Sequence, residues 1–428
     1  MNKNLRSGLR ATVAISALLG MVAASQAGGF ALREQSAEGQ GMSFAGVGAG
    51  SAGLSSMFWN PATITMTPGW NSEWSAAAIL PYSSITPNLP TVTPLVGSGN
   101  IGQQAVLPSG YSNYQINDRW WIGLVTGAPY GLVTKSSEIW AGQVYGVSSK
   151  VVSFNANAIV GWKVNDWLSI AAGPSVQYFS VRLRGSAVPF GAGAQNILEG
   201  SNTSLGATAG IMLTPWAGTR IGLGYRSAIS HELEGGLTPG IPVTLPVKTK
   251  VTLPETVTFG LSQDFATAWT ANFGIEWTNW SRLKTSDVSN YFTGVPFPFP
   301  AQQRYNWRDG WYFSAGLEYA YSPAWTVRGG LAYEISPVTD ATRNVRLPDT
   351  DRIWASLGLS YKYSNKLSFD LGYSHIFGKN GNINIGPGNQ SYIPPLVFAA
   401  TTRGHVDIIS VGVKYRWDNP VGAVVAKY

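Results

Sequence analysis

The segment WTANFGIEWT, Trp269–Thr278, alternates two kinds of side chain along its length. Every odd-numbered position is apolar, and every even-numbered position is small or polar. Successive side chains of a β-strand point to opposite faces of its sheet, so this period of two predicts a strand with one apolar face. The same division recurs in Trp325–Glu334, Arg352–Tyr361 and Lys366–Tyr373. The chain is therefore predicted to be all-β from Trp70 onward.

Short and long connections alternate between these predicted strands. The tight turns are Asn117-Asp118, Asn165-Asp166, Thr214-Pro215, Phe265-Ala266-Thr267, Ser322-Pro323 and Ser364-Asn365. The long loops, rich in Gly, Pro and Asn, are 86–105, 188–200, 237–248, 283–304, 339–349 and 379–403. Short turns on one rim and long loops on the other are typical of outer-membrane barrels, whereas a soluble β-sandwich has similar turns at both ends.

Tryptophan lies beside most of the tight turns. The residues concerned are Trp120, Trp121, Trp167, Trp216, Trp269 and Trp325, and Leu367 stands at the remaining turn. Because tryptophan prefers the boundary between lipid headgroups and hydrocarbon, these residues predict one interfacial girdle. Counting the segments predicts a transmembrane antiparallel β-barrel of about 14 strands, an even number as a closed single-chain barrel of this type requires.

The composition agrees with a membrane barrel and excludes several other classes of protein. Only 12% of the 428 residues are charged, against about a quarter in a soluble domain. The chain has no cysteine, which removes disulfides, zinc thiolates and thiol catalysis. Without Lys3, Arg6 and Arg10 of the leader, the chain has 26 basic and 22 acidic residues, which gives a net charge of +4. That charge does not indicate a nucleic-acid partner.

Residues 1–27 resemble a signal peptide. Three cationic residues precede the uncharged run Ala11–Leu32, and Ser25-Gln26-Ala27 is a small-residue site of the signal-peptidase type. Cleavage after Ala27 and export are predicted. An uncleaved anchor is the alternative, but Ala23–Gly29 is small and polar rather than leucine-rich.

A second kind of segment, GQGMSFAGVGAGSAGLSSMFWNPA at Gly39–Ala62, has neither helical nor strand periodicity. Irregular backbone carries unpaired N–H and C=O groups, so in a hydrophobic setting protein must surround it. Its large apolar side chains argue against an exposed linker. We therefore predict that residues 28–68 form a hatch in the lumen of a barrel built from residues 69–417. The hatch residues singled out are Phe30, Phe44, Phe58, Trp59, Asn60, Pro61 and Ala62.

The end of the chain points to the cellular partners. Ser410–Trp417, SVGVKYRW, resembles the C-terminal assembly signal of outer-membrane proteins, although in those proteins the aromatic residue is the last one. The barrel assembly machinery is therefore an expected partner. Outer-membrane lipid and lipopolysaccharide are expected partners of such a barrel as well, and the protein itself is expected to be a monomer. The sequence does not explain the tail 418–428.

Several motifs together resemble the long-chain fatty acid and aromatic hydrocarbon transporter family of bacterial outer membranes. They are FALREQS at 30–36, NPA at 60–62, LPETVTFG at 253–260, EWTNWS at 276–281, SPVTDATR at 336–343 and LPDTDR at 347–352. The resemblance implies a 14-stranded barrel with an N-terminal hatch, located in the outer membrane of a Gram-negative bacterium. It implies that a hydrophobic small molecule enters from the extracellular loops, is held in an internal pocket, and leaves sideways through a kinked third strand. Long-chain fatty acids are the first expectation, and aromatic or alkane hydrocarbons are the alternative.

The segment Ile122–Leu132 offers a site for that kink. Pro129 cannot donate to the hydrogen-bond ladder, and Gly127 and Gly131 flank it, so the ladder is predicted to break there and leave a lateral gap. The alternative is a bulge above the membrane. Because the hatch has no energy source, it changes conformation only if substrate favours one arrangement, and we expect Gly28–Leu32 to lie near the pocket.

Two sets of residues are candidates for substrate binding. Arg343 and Arg352 are predicted to anchor a carboxylate head, with Arg346 as an alternative anchor; an internal salt-bridge network is the competing interpretation. Aromatic hydrocarbons need only apolar lining. The long loop is predicted to supply that lining as an apolar surface groove formed by Phe292, Phe297 and Phe299. The alternative is that these side chains only pack the loop against its neighbours.

Catalysis is not predicted. His231, His375 and His405 are the only histidines, and none stands in a zinc-protease frame, so no metal and no cofactor are expected. An aqueous porin and a surface receptor or adhesin remain the alternative classes. A porin does not account for the apolar Gly/Ala segment, and a receptor or adhesin role would rest on the long loops alone.

Overall fold

The computed structural model describes residues 28–91, 93, 95–297 and 303–419. Within them, 14 antiparallel strands form one sheet that closes into a barrel. The first and last strands pair from Asn71↔Arg416 to Asn88↔Ala399, which closes it. The predicted 14-stranded barrel is confirmed. The predicted leader, and the tail from residue 420 onward, lie outside the described residues.

The strands are numbered here in chain order. The continuous ones are β1 Trp70–Asn88, β2 Ala105–Gln115, β4 Ser148–Lys163, β5 Leu168–Ser186, β6 Gln195–Leu213, β9 Trp269–Thr278, β10 Gly310–Ala320, β11 Trp325–Ile335, β12 Arg352–Lys362, β13 Leu367–Gly378 and β14 Phe398–Arg416. The interrupted ones are β3 (Trp120–Gly127 and Gly131–Lys135), β7 (Thr219–Arg226 and Ile229–Pro239) and β8 (Leu245–Leu253 and Thr256–Ala266). Short strands in the loops cover Thr285–Ser286, Val288–Asn290, Gln303–Arg304 and Gly381–Ile385.

The two rims of the barrel differ as predicted. Short turns join β2 to β3, β4 to β5, β6 to β7, β8 to β9, β10 to β11 and β12 to β13. The connections on the other rim are longer, except that residues 240–244 between β7 and β8 are no longer than the turn 214–218 between β6 and β7. The loop at 136–147 was not recognised in the sequence. The predicted loops 188–200, 237–248 and 379–403 are too long, because β6 begins at Gln195, β7 and β8 leave only residues 240–244 between them, and β14 begins at Phe398. Antiparallel pairing therefore continues into segments whose Gly, Pro and Asn content had indicated loop.

The outer face of the wall is apolar. Alternate side chains of β9, such as Phe273 and Ile275, are exposed, as expected for a surface that faces lipid. Most of the predicted girdle is also exposed, but Trp121 is buried, and its Nε1–H lies 3.3 Å from the carbonyl oxygen of Thr67. Trp121 therefore belongs to the interior, because it is one residue out of phase with the exposed Trp120.

Residues 28–68, called the inner segment below, contact inward-facing residues of the strands. The segment contains a short α-helix, Ala37–Gln40, and 3₁₀ turns at Val47–Ala49, Gly53–Phe58 and Pro61–Met66. Asn60 fixes its last turn, because its side chain accepts a hydrogen bond from the Ala62 N–H and donates to the carbonyl oxygens of Gly48 and of Ile211 on β6. Within the described residues, no helix has the length and apolar character needed to cross a membrane.

Inward-facing glycines form a belt around the inner segment. A Cβ at each would lie 1.8–3.2 Å from an inner-segment atom. The belt consists of Gly123, Gly161, Gly210, Gly222, Gly224, Gly260, Gly316, Gly330, Gly358, Gly372 and Gly412. Several of them are cross-strand partners, such as Gly316↔Gly330 and Gly358↔Gly372. Glycine is needed at these positions because the backbone or a side chain of the inner segment approaches the strand closely.

Candidate substrate cavity and lateral opening

The wall of the barrel is interrupted beside β3. Residues 128–130 leave the strand conformation, and β2 pairs with β3 only as far as Gly110↔Thr126. The preceding residues of β2, 105–109, pair with β1 and have no partner on β3. Further out, a bridge between Gly102 and Thr134 joins the wall again. The ladder is therefore missing over a limited height, at the place that the sequence predicted from Pro129.

The start of the inner segment, residues 28–32, lies across this break and is called the strap below. The Leu32 N–H donates to the carbonyl oxygen of Pro129 at 2.8 Å, and the Gly131 N–H donates to that of Phe30 at 2.9 Å. Ala31 and Tyr130 consequently form an antiparallel bridge. The strap thus supplies hydrogen-bond partners to β3 at the break and lies across the opening.

Gln35 extends the same closure toward β2. Its Nε2–H₂ donates to the carbonyl oxygen of Ala128 at 2.8 Å. The hydroxyls of Ser109 and Tyr111 donate to its backbone carbonyl at 2.8 and 2.6 Å. Gln35 therefore joins the two strands that do not pair directly.

A cavity of about 560 Å³ lies against the strap. Phe30 forms part of its wall, together with Leu132, Val151, Phe179 and Leu233. The Phe30 ring packs on four other rings, with centroids 4.8 Å from Trp280, 5.9 Å from Tyr130 and Trp307, and 6.3 Å from Phe179. Movement of the strap would therefore change both the cavity and the closure of the wall.

Arg346 gives this mainly apolar cavity a cationic end. It lies in the loop between β11 and β12, and its Nη1 donates to the carbonyl oxygens of Ser148 and Arg184 at 3.2 and 3.1 Å. Among the described residues, no carboxylate lies within ion-pair distance of it. Burial lowers the pKa of Arg346 to about 10, so its guanidinium remains charged at neutral pH.

The two arginines predicted as anchors lie outside the lining of this cavity. Arg343 is buried, pairs with Asp340, and donates through Nε to the carbonyl oxygen of Asp349 at 2.8 Å. Arg352 pairs with the side chain of Asp349, and its Nε is 3.5 Å from Glu334 Oε2. The Arg352 guanidinium thus belongs to an internal salt-bridge network, as in the competing interpretation, whereas Arg343 pairs with an exposed carboxylate.

The predicted phenylalanine groove is not a single surface. Phe297 lines the cavity, whereas Phe292 is 80% exposed on the same loop. Phe299 lies outside the described residues. The predicted hatch residues other than Phe30 pack deeper in the inner segment, where Arg226 stacks over the Phe58 ring at 3.8 Å.

Several residues of the site were missed in the sequence. Tyr130, Phe179, Trp280 and Trp307 surround Phe30 although they come from four distant segments. An inward-facing aromatic residue in the outer half of a predicted strand was the available signal for Phe179. Trp307 follows a long loop and had no such signal.

A closed barrel with an apolar cavity and a break in its wall defines an outer-membrane channel for hydrophobic molecules. The family model "Outer membrane protein transport protein (OMPP1/FadL/TodX)" matches residues 19–417, and the chain belongs to this family. The predicted resemblance, the outer-membrane location and the transport of hydrophobic compounds are thereby confirmed. The family is one of transport proteins.

Curated relatives match over most of their length. The long-chain fatty acid transport protein of Salmonella typhi is 26% identical over 394 residues, which cover 84% of this chain and 89% of the relative. The 47 kDa outer membrane protein of Pasteurella multocida is 24% identical, with 95% of this chain and 98% of the relative covered.

Solved structures share the fold. A Pseudomonas aeruginosa FadL homologue superposes with a TM-score of 0.82 at 23% identity, covering 91% of this chain and all (100%) of that one. The P. putida toluene transporter TodX superposes with a TM-score of 0.66 at 16% identity, covering 90% of this chain and 99% of the TodX chain.

Proposed function

We propose that this protein takes up long-chain fatty acids, with the carboxylate bound at Arg346 and the hydrocarbon tail along the apolar wall that includes Phe30. The observation that carries the proposal is the cationic end of the cavity, where Arg346 has only carbonyl partners at its guanidinium among the described residues. Two carbonyl oxygens do not neutralise a guanidinium, and a carboxylate is a strong partner for it at a site with little water. The name of the Salmonella typhi relative supports the same substrate class.

The inner segment acts in this proposal as a hatch, and the strap is its moving part. Substrate in the cavity and the Phe30 side chain occupy adjoining space, so bound substrate favours conformations in which the strap has moved. No energy source is required, because ligand that binds one conformation more tightly shifts the population toward it. Displacing the strap removes the bonds to Pro129 and Gly131, and substrate then leaves sideways between β2 and β3.

Uptake of aromatic hydrocarbons is a second candidate function. The ring cluster around Phe30 favours it, since flat apolar molecules pack well among aromatic side chains. The toluene transporter with the same fold supports it as well. The two candidates differ in one respect: a hydrocarbon gains nothing from a cation at the end of the cavity.

The replacement Arg346→Gln separates the two functions. We expect oleate binding by the purified protein to weaken by about tenfold or more, because a charge-assisted hydrogen bond contributes about 1.5–3 kcal/mol. Toluene uptake by cells is expected to stay at the wild-type level. Fluorescence titration with a labelled fatty acid and uptake of radiolabelled toluene measure the two quantities.

Lys248→Gln is the matched control for Arg346→Gln. Lys248 follows the cavity-lining Val247, but its ammonium lies 3.5 Å from Glu232 and it is not part of the cavity lining. This variant should bind oleate like the wild type. If Arg346→Gln also binds oleate like the wild type, Arg346 is not the anchor and the hydrocarbon function gains support.

A further inference from the structure

The backbone nitrogens of Gly28 and Gly29 lie inside the barrel, and each contacts an acidic side chain. Gly28 is buried, and its N–H donates to Glu334 Oε1 at 2.8 Å. The next N–H, that of Gly29, donates to Asp349 Oδ2 at 2.9 Å. Gly28 is also the residue that follows the predicted cleavage site at Ala27.

Gly28 and Gly29 leave room for this contact because neither has a side chain. A Cβ at Gly28 would lie 2.7 Å from Glu334 Oε1, and one at Gly29 would lie 2.9 Å from the Trp280 ring. Gly29 also has a φ of +67°, a conformation that other residues rarely adopt. The first two residues after the predicted cleavage site are thus fitted to an approach to Glu334.

The charges around the Gly28 nitrogen do not balance without a further cation. Three carboxylates, those of Glu276, Glu334 and Asp349, contact the guanidinium groups of Arg33 and Arg352. The side chains of Glu334, Asp349 and Arg352 are at most 3% exposed.

The imbalance is a property of the buried groups. Glu34 and Arg226 add one charge of each sign to them. The neighbouring Asp351 pairs instead with two more exposed cations, Arg308 and Lys379. An excess negative charge in a buried site is costly, so one additional positive charge would stabilise this cluster.

We propose that the α-ammonium group of Gly28 supplies this charge and positions the strap by forming a buried ion pair with Glu334. In the cleavage step, water adds across the Ala27–Gly28 peptide bond, the C–N bond breaks, Ala27 leaves with a carboxylate, and the new Gly28 amine takes a proton. The ion pair holds one end of the strap, and the hydrogen bonds to Pro129 and Gly131 hold the other. Phe30 lies between the ion pair and the Leu32–Pro129 hydrogen bond, its own carbonyl oxygen accepts from Gly131, and its ring is thereby kept in the cavity wall. Removal of the leader therefore completes the closed state, whichever hydrophobic substrate the protein carries.

The test measures how accessible the N-terminal amine is in the folded protein. The mature protein in detergent is treated with an aldehyde reagent selective for N-terminal amines, and labelling is followed by intact mass. N-terminal sequencing should read Gly28 first. We expect Glu334→Gln to label at least about tenfold faster than the wild type, because breaking a buried ion pair strongly destabilises the closed state. Glu318→Gln, which removes a lumen carboxylate that pairs with Arg328, should label at the wild-type rate.

A one-residue extension separates the charge from the hydrogen bond. A serine inserted between Ala27 and Gly28 keeps an amide N–H at Gly28 but moves the ammonium away from Glu334. Fast labelling of this folded variant supports the ion pair. The proposal is overturned if the extended variant labels as slowly as the wild type, if Glu334→Gln and Glu318→Gln label alike, or if the mature chain does not begin at Gly28. None of these readouts depends on transport.

Discussion

A valine in place of Gly330 is expected to displace the inner segment and lower the free energy of unfolding by about 3 kcal/mol, the upper end of the usual cost of overpacking. A Cβ at this position would lie 2.3 Å from the backbone carbon and oxygen of Met42. Backbone atoms cannot rotate out of the way as the end of a side chain can. The inner segment must therefore move away from β11, which opens the lumen. The expected result is a lower thermal unfolding midpoint together with ion conductance in planar bilayers that the wild type lacks.

Gly329 provides the control in the same strand. It points to the opposite face, where the nearest atoms to an added Cβ are 3.9 Å away. Gly329→Val should therefore change the free energy of unfolding by no more than about 0.5 kcal/mol, as for an ordinary surface substitution. Equal effects of the two variants would mean that close approach at Gly330 does not hold the inner segment in place.

The fold was predictable because alternation, turn length and tryptophan position all depend on local sequence. Trp269–Thr278 reads as a strand by itself, and it is β9 in the structure. The glycine belt was harder to predict. In the sequence, Gly330 and Gly329 cannot be distinguished until it is known which of them faces the lumen and where the inner segment runs. Their difference arises from Met42, almost three hundred residues away in the chain.

The site was predictable only where one residue determines the local geometry. Pro129 must break a ladder wherever it lies in a strand, and β3 is interrupted there. The choice among Arg343, Arg346 and Arg352 depends on which carboxylates surround each one, and strand parity carries no such information. Asp349 pairs with Arg352, whereas Arg346 lines the cavity and has no carboxylate within ion-pair distance among the described residues.

The substitutions Ala31→Cys and Tyr130→Cys together are expected to abolish uptake under oxidising conditions and to restore it on reduction. The two residues form an antiparallel bridge between the strap and β3, of the kind that has no hydrogen bond between the paired residues themselves. The Cα atoms of such pairs are about 4.5 Å apart, which is within the range that a disulfide spans. The chain has no other cysteine, so this crosslink is the only one that can form. Locking the strap to β3 keeps the opening closed, and substrate in the cavity then has no lateral exit.

A disulfide elsewhere in the inner segment distinguishes movement of the strap from movement of the whole segment. The Oγ atoms of Ser43 and Ser356 are 2.7 Å apart, so Ser43→Cys with Ser356→Cys ties the middle of the inner segment to β12. Uptake by this oxidised variant should remain, because the strap alone needs to move.

Tyr130→Cys alone controls for the lost tyrosine, whose hydroxyl donates to the Pro254 carbonyl oxygen at 3.1 Å. If the Ser43–Ser356 crosslink also stops uptake, the entire inner segment moves during transport. If the Ala31–Tyr130 crosslink leaves uptake unchanged, substrate does not pass through the opening beside β3.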